Sequence, residues 1–145
     1  MSGVSDGSGG LRAVHHIDLW VSALSRGRES WGWLLGELGW SEEFSDDDGC
    51  AWTHPDGTYV FMQTALVHAE YVRTGIGMNH LALLVDGRDR LDALRAAAPE
   101  HGWSELFAEK YPHAGGEQHV ALYLEDRDGL EVEVVTPPAT AEPVE

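Results

Sequence analysis

Disulfide chemistry is closed to this chain, because Cys50 is its only cysteine. A fold of 145 residues must then be held by a buried apolar core, and that length suffices for one. Basic residues are scarce as well: nine face 25 acidic ones, Lys110 is the sole lysine, and the formal charge is −16. Such a balance repels phosphate backbones and argues against a nucleic-acid partner, while favouring cationic ligands; it also serves solubility. No apolar run is long enough to cross a bilayer, and no cationic segment leads into an apolar signal core. The expectation is a cytoplasmic protein with no membrane partner.

What is present is a repeated order of elements. Val14-His-His-Ile-Asp-Leu-Trp-Val21 alternates as a strand, with Ile17, Leu19 and Val21 on one face and His16, Asp18 and Trp20 on the other. Trp31, Leu34, Leu35 and Leu38 then form a helical stripe ended by Gly39. Pro55-Asp-Gly57 turns between two short strands, and Asp46-Asp-Asp48 reads as a solvated turn. Met78 to Val85 opens the second half with His80 where the first has His16. Leu91 and Leu94 mark its helix, and Asp126-Arg-Asp-Gly129 turns into a last strand, Leu130 to Val135. These spans predict one domain over 13–137, with modules of about 13–66 and 77–137. A flexible leader is expected over 1–12 and a flexible tail over 138–145.

Helices must cover one face of such strands, so the other face is free to enclose something. That second face carries His16, Asp18, Trp20, His80, His119, Tyr123, Glu131 and Glu133, a mixture too polar for a dry core and too aromatic for an ordinary wet surface. It reads as a curved, ligand-sized cup. Glu131 and Glu133 flank Val132 and share that face, and buried carboxylates need a counter-charge or a metal. Imidazole nitrogen with carboxylate oxygen suits Zn, Fe, Mn, Co or Ni. Two states stay open for His80 and Glu133: metal ligands, or a hydrogen-bonded cavity histidine beside a rim carboxylate.

At this point the chain resembles the vicinal oxygen chelate superfamily, which includes glyoxalase I, bleomycin-resistance proteins and extradiol dioxygenases. His16-Ile-Asp-Leu-Trp-Val21 and His80-Leu-Ala-Leu-Leu-Val85 look like the opening strands of its paired modules. Trp31-Gly-Trp-Leu-Leu-Gly-Glu-Leu-Gly39 looks like the first helix and its end, and Asp126-Arg-Asp-Gly-Leu-Glu-Val-Glu133 like the closing hairpin. The resemblance implies an α+β fold: two βαβββ modules forming a curved mixed sheet with a concave metal cup. Carried over position by position, it implies a divalent metal ion on His16, His80 and Glu133. Gln63 would be the fourth ligand if a bulge or a longer hairpin moves it into the place that a strict overlay of the two turns gives to Phe61. His15 is a weaker competitor for His16, since it leaves the strand on the opposite face.

The implied function is that of a metal-dependent lyase, isomerase or oxygenase acting on a small molecule with adjacent oxygens. Glu133 or Glu131 would move the proton, His119 and Tyr123 would donate hydrogen bonds, and Trp20 and Trp52 would wall an aromatic or cationic substrate together with Asp18, Phe61, Tyr111 and His113. Extradiol dioxygenases usually add a second pair of modules, for which this chain is too short, and anionic thiol or CoA substrates suit its charge poorly. The alternative is a non-catalytic protein of the bleomycin-resistance type that sequesters a small molecule. A homodimer is expected. Pairing of modules within one chain and exchange between two chains both satisfy the pattern.

Overall fold

A computed structural model describes residues 11–138 of the chain. The leader and tail expected from the sequence lie, but for their innermost residues, outside the described part. The first module runs β1 (His16–Val21), α1 (Leu24–Glu37), β2 (Ser41–Ser45), β3 (Cys50–Thr53) and β4 (Tyr59–Thr64). The second runs β5 (Leu81–Leu84), α2 (Arg88–Ala97) with a 3-10 turn over Ala98–His101, β6 (Ser104–Leu106), β7 (Ala121–Glu125) and β8 (Glu131–Val135). The βαβββ order thus occurs twice. Among the described residues no helix is long and apolar enough to cross a membrane.

Strand pairing repeats with the order. One four-stranded sheet runs β1-β4-β3-β2 and the other β5-β8-β7-β6, with β1 parallel to β4 and β5 parallel to β8. The first strand of each module therefore stands at an edge. Each closing hairpin uses a glycine in the left-handed region, Gly57 at φ 96° and Gly129 at φ 88°, where a side chain would be strained. The matching turns set matching registers: Asp18 lies opposite Phe61, and Ala82 opposite Glu133.

Helix α1 buries the stripe that its sequence predicts, with Trp31, Leu34 and Leu35 inaccessible against Val60, Met62 and Trp52. Each such side chain contributes about 1.5–3 kcal/mol. On the second module Leu91 and Leu94 of α2 meet Leu122, Leu124, Val132 and Val134, and one apolar cluster joins both halves. Cys50 lies within it, its thiol pushed up by burial despite nearby Arg28, so it stays a protonated packing residue.

The modules meet through α1 and the end of β1 on one side, and Trp103 and the β7–β8 turn on the other. Trp31 and Trp103 cross edge to face at 5.1 Å, and the Trp103 indole donates to the Ser30 carbonyl at 2.9 Å. Ser22, just past β1, donates through its amide and hydroxyl to Asp128 in the β7–β8 turn at 2.9 and 2.6 Å. Trp33, which lies off the apolar stripe of α1, stacks on His101 at 4.4 Å. Pairing across this boundary is between helix and hairpin, so within one chain the strands form two sheets whose first strands do not pair with each other.

Several strands are shorter than alternation alone suggests. Asn79 donates to the Arg73 carbonyl, and β5 begins only at Leu81, with His80 just ahead of it. Residues 118–120 likewise lie outside any strand, the His119 amide donating to Gly116 O, so His119 precedes β7.

Candidate functional site

Strand β8 supplies the core of the site. Glu131 and Glu133 point the same way and are each only 5% exposed, so both carboxylates require partners. Glu133 takes two imidazoles: His80 Nε2 lies 2.9 Å from Oε1, and His119 Nε2 pairs with Oε2. Glu131 takes Arg73, whose NH1 lies 3.0 Å from Oε1, while Arg73 Nε is 3.8 Å from Glu125. The two neighbouring carboxylates are thus separated in role, one facing imidazoles and the other neutralised by a guanidinium.

Asn79 completes the arrangement around His80. Its amide nitrogen donates to the Arg73 carbonyl at 2.9 Å, which turns its Oδ1 toward His80 Nδ1 at 2.6 Å. That network assigns the Nδ1 proton of His80 to Asn79 and turns the Nε2 lone pair toward Glu133. A lone pair beside a carboxylate oxygen is satisfied only by a cation between them, either a proton or a metal ion. By the chemistry of this donor set, His80 and Glu133 fit a divalent ion.

Tyr123 on β7 closes the wall, its ring edge to face with His80 at 5.9 Å and with Phe107 at 5.6 Å. Burial, reinforced by the Glu133 charge, pushes its phenol up to about 12, so it remains a hydrogen-bond donor at ordinary pH. Gly115 lies over this wall. A Cβ there would come within 2.6 Å of His119 Cδ2 and 2.7 Å of Tyr123 Oη. His113 is exposed and reaches the His119 carbonyl at 3.2 Å.

The first module carries the matching half without the acid. His16 stacks on Tyr59 at 4.8 Å, meets His15 at 3.0 Å, and has Asp18 at 3.8 Å. Phe61 occupies the register position of Glu133 and leans on Phe44 at 5.9 Å. Strand β4 runs beside β1 without a bulge, so Gln63 stands opposite Trp20, two residues beyond the place that the ligand assignment needs. Trp20 remains 41% exposed and lines an open cleft of about 770 Å³ with the segment His68–Thr74 and the β7–β8 turn. Within one chain, His16 lies in the sheet of the first module, whereas Glu133 lies in that of the second with His80 just ahead of its edge strand. Among the described residues no group of three or more His, Cys, Asp or Glu side chains is arranged to hold a metal ion.

Two expected substrate contacts lie elsewhere. Trp52 is buried on the helix side of β3, because it pairs with Val60 and shares that residue's inward face; its ring lies under Gly32, where a Cβ would be 3.1 Å away. Tyr111 is drawn onto α2 instead of the cup: its hydroxyl donates to Asp92 at 2.6 Å, and the Arg95 guanidinium lies over its ring at 4.1 Å. Conversely, sequence reading passed over Arg73, Asn79 and Phe107. Asn79 had one usable signal, its position next to His80, and Arg73 another, as the one cation in an otherwise neutral or acidic connector.

Comparison with known proteins agrees with this fold. Residues 15–123 match the family model of the glyoxalase/bleomycin resistance protein/dioxygenase superfamily. The chain belongs to that superfamily. It is 35% identical to YqjT of Bacillus subtilis strain 168, itself uncharacterized, over 86% of this chain and 98% of that protein. Among solved structures it is similar to a candidate glyoxalase from Bacillus halodurans, at 32% identity and a TM-score of 0.80, covering 86% of this chain and 96% of the other. A glyoxalase/bleomycin resistance protein from Albidiferax ferrireducens T118 shares the fold at 21% identity and a TM-score of 0.68, covering 85% and 97%. Members of the superfamily typically bind a divalent metal.

Proposed function

We propose that the chain is a metal-dependent enzyme, a lyase, isomerase or oxygenase acting on a small molecule, and that its site is completed by a second copy. The observation that carries this reading is the His80–Glu133 pair, a neutral nitrogen and an anionic oxygen held 2.9 Å apart with the far ring nitrogen already committed to Asn79. His80 and Glu133 would hold a divalent ion, and His16 of a second copy would supply the other imidazole. Bound there, the ion would polarise two adjacent substrate oxygens.

The remaining roles follow from the side chains. Glu133 holds His119 through Nε2, which leaves Nδ1 as the atom that exchanges a proton with substrate. Tyr123, protonated at working pH, donates to a developing oxyanion. Arg73 keeps Glu131 paired, so of the two carboxylates Glu133 is the one available to the imidazoles. His16, Trp20 and Phe61 of the second copy would form the opposite wall. Their supply by a copy is favoured by the edge position of β1 and β5 and by apolar groups exposed there and on the connector, with Leu84 66% and Val67 74% exposed.

One observation favours the sequestering alternative: Phe61 stands where the second module has Glu133, so one carboxylate is replaced by a ring that suits a flat ligand. Elemental analysis of untagged, chelator-free protein decides between the two. Near-stoichiometric metal, lost in both His80→Ala and Glu133→Ala while folding is retained, supports the enzyme. Absence of metal after exposure to Zn(II), Fe(II), Mn(II), Co(II) and Ni(II) overturns it in favour of sequestration.

A further inference from the structure

We infer that Asn79 is a positioning residue that fixes the ring orientation and tautomer of His80, so that a proton-free Nε2, and not the ring carbon Cε1, faces Glu133. The inference rests on the proposed metal site, and extends it from the ligands to the device that aims one of them.

A half turn of a histidine ring about its last side-chain bond exchanges each nitrogen with a ring carbon, Nε2 with Cε1 and Nδ1 with Cδ2, and the two orientations have nearly the same shape. A hydrogen bond at the far nitrogen is what breaks that tie. At His80, two oxygens compete for Nδ1: Asn79 Oδ1 at 2.6 Å and Glu131 Oε2 at 3.9 Å. Arg73 settles the competition twice over. Its guanidinium holds Glu131 at 3.0 Å, and its carbonyl accepts the Asn79 amide N–H at 2.9 Å, so the amide cannot turn and offer its NH₂ to the ring. Nδ1–H therefore donates to Asn79, and Nε2 is the nitrogen left for Glu133 and the ion.

This small network lies in the connector, outside both sheets. Tyr71 anchors the same segment by donating its hydroxyl to the Met78 carbonyl. The connector between the modules thereby becomes part of the site, with Arg73 and Asn79 as its two contacts.

The test uses full-length protein with ¹⁵N-labelled histidine, first metal-free and then titrated with Zn(II), with the His80 signals assigned from their absence in His80→Gln. Long-range ¹H–¹⁵N correlation should find an exchange-protected proton on His80 Nδ1 in both forms, and Zn(II) on Nε2. Asn79→Ala should lose that protection and weaken Zn(II) binding by about 10–100-fold. Asn79→Asp, which retains an acceptor for Nδ1, should keep the proton and most of the affinity. A parent with Nδ1 unprotonated or bearing Zn(II), or an Asn79→Ala variant with unchanged protection and affinity, overturns the inference. A parent that shows the protected proton but binds no Zn(II) supports the role of Asn79 and removes the metal reading instead.

Discussion

Trp31 donates its indole N–H to the buried carboxylate of Asp126 at 2.9 Å, tying the first module's helix to the second module's closing turn. The same carboxylate accepts the amides of Asp128 and Leu130, each at 2.9 Å, so one side chain shapes the turn and joins the halves. Replacing it by asparagine sets an NH₂ group against one of these donors. Asp126→Asn should destabilise the fold by about 1–3 kcal/mol, read from urea unfolding.

Burial raises the Asp126 carboxyl above the ordinary carboxylate value, in opposition to the Trp31 hydrogen bond. The folded state then binds its proton more tightly than the unfolded state. Its contribution to stability is fully present below the unfolded carboxylate pKa and is lost as pH rises through the folded one. The stability difference between parent and Asp126→Asn should therefore be larger at acid pH and shrink across that window. A difference that instead grows with pH would contradict the assignment.

Tyr111 should ionise late, with its pKa pushed up to about 12 by burial and by the hydrogen bond to Asp92. Ultraviolet titration of tyrosinate should lose one step near that pH in Tyr111→Phe. The same change removes the largest influence lowering the Asp92 carboxyl, which should move back up toward its ordinary value in NMR titration.

Gly115→Ala places a methyl group on His119 and Tyr123, whose nearest atoms are the ends of side chains and not backbone. The rings should shift and the His119–Glu133 pair should open, while the unfolding midpoint changes little. If the protein is the enzyme proposed above, its proton transfer should fall by about 10²–10⁴-fold, the range for loss of a positioned acid or base.

Leu84→Asp places a charge on the exposed edge strand of the second sheet. If β1 and β5 pair between copies, sedimentation should change from dimer to monomer, with the monomer still folded, because Leu84 lies outside the buried core. Unchanged dimers would place the contact on another surface.

The fold was legible because both modules state it in the same terms: an edge strand, a helical stripe, and a hairpin closed by glycine. The glycines also set the register, and a strict count from Gly57 and Gly129 already places Phe61 and Glu133 in equivalent positions. Gln63 needed an irregularity that β4 does not have. Trp52 was misread although its pairing partner Val60 has an evident inward parity, because bulk and aromaticity suggested a pocket wall more strongly than register did. Of the candidate site, the sequence made legible the grouping of His80, Glu133, His119 and Tyr123, which the structure brings into mutual contact. Arg73 and Asn79 escaped notice because connectors have no periodicity, and their roles arise from backbone geometry that spacing does not encode.

Each chain carries His16 on β1 and His80 just ahead of β5, at edge strands of two separate sheets. If the protein is the enzyme proposed above, a dimer joined through those edges would have a genetic signature. A chain lacking His16 and a chain lacking His80 would each be inactive alone, yet a mixed dimer of the two would contain one intact site and one doubly damaged site. Co-expression of the two defective copies should then restore part of the activity that neither has.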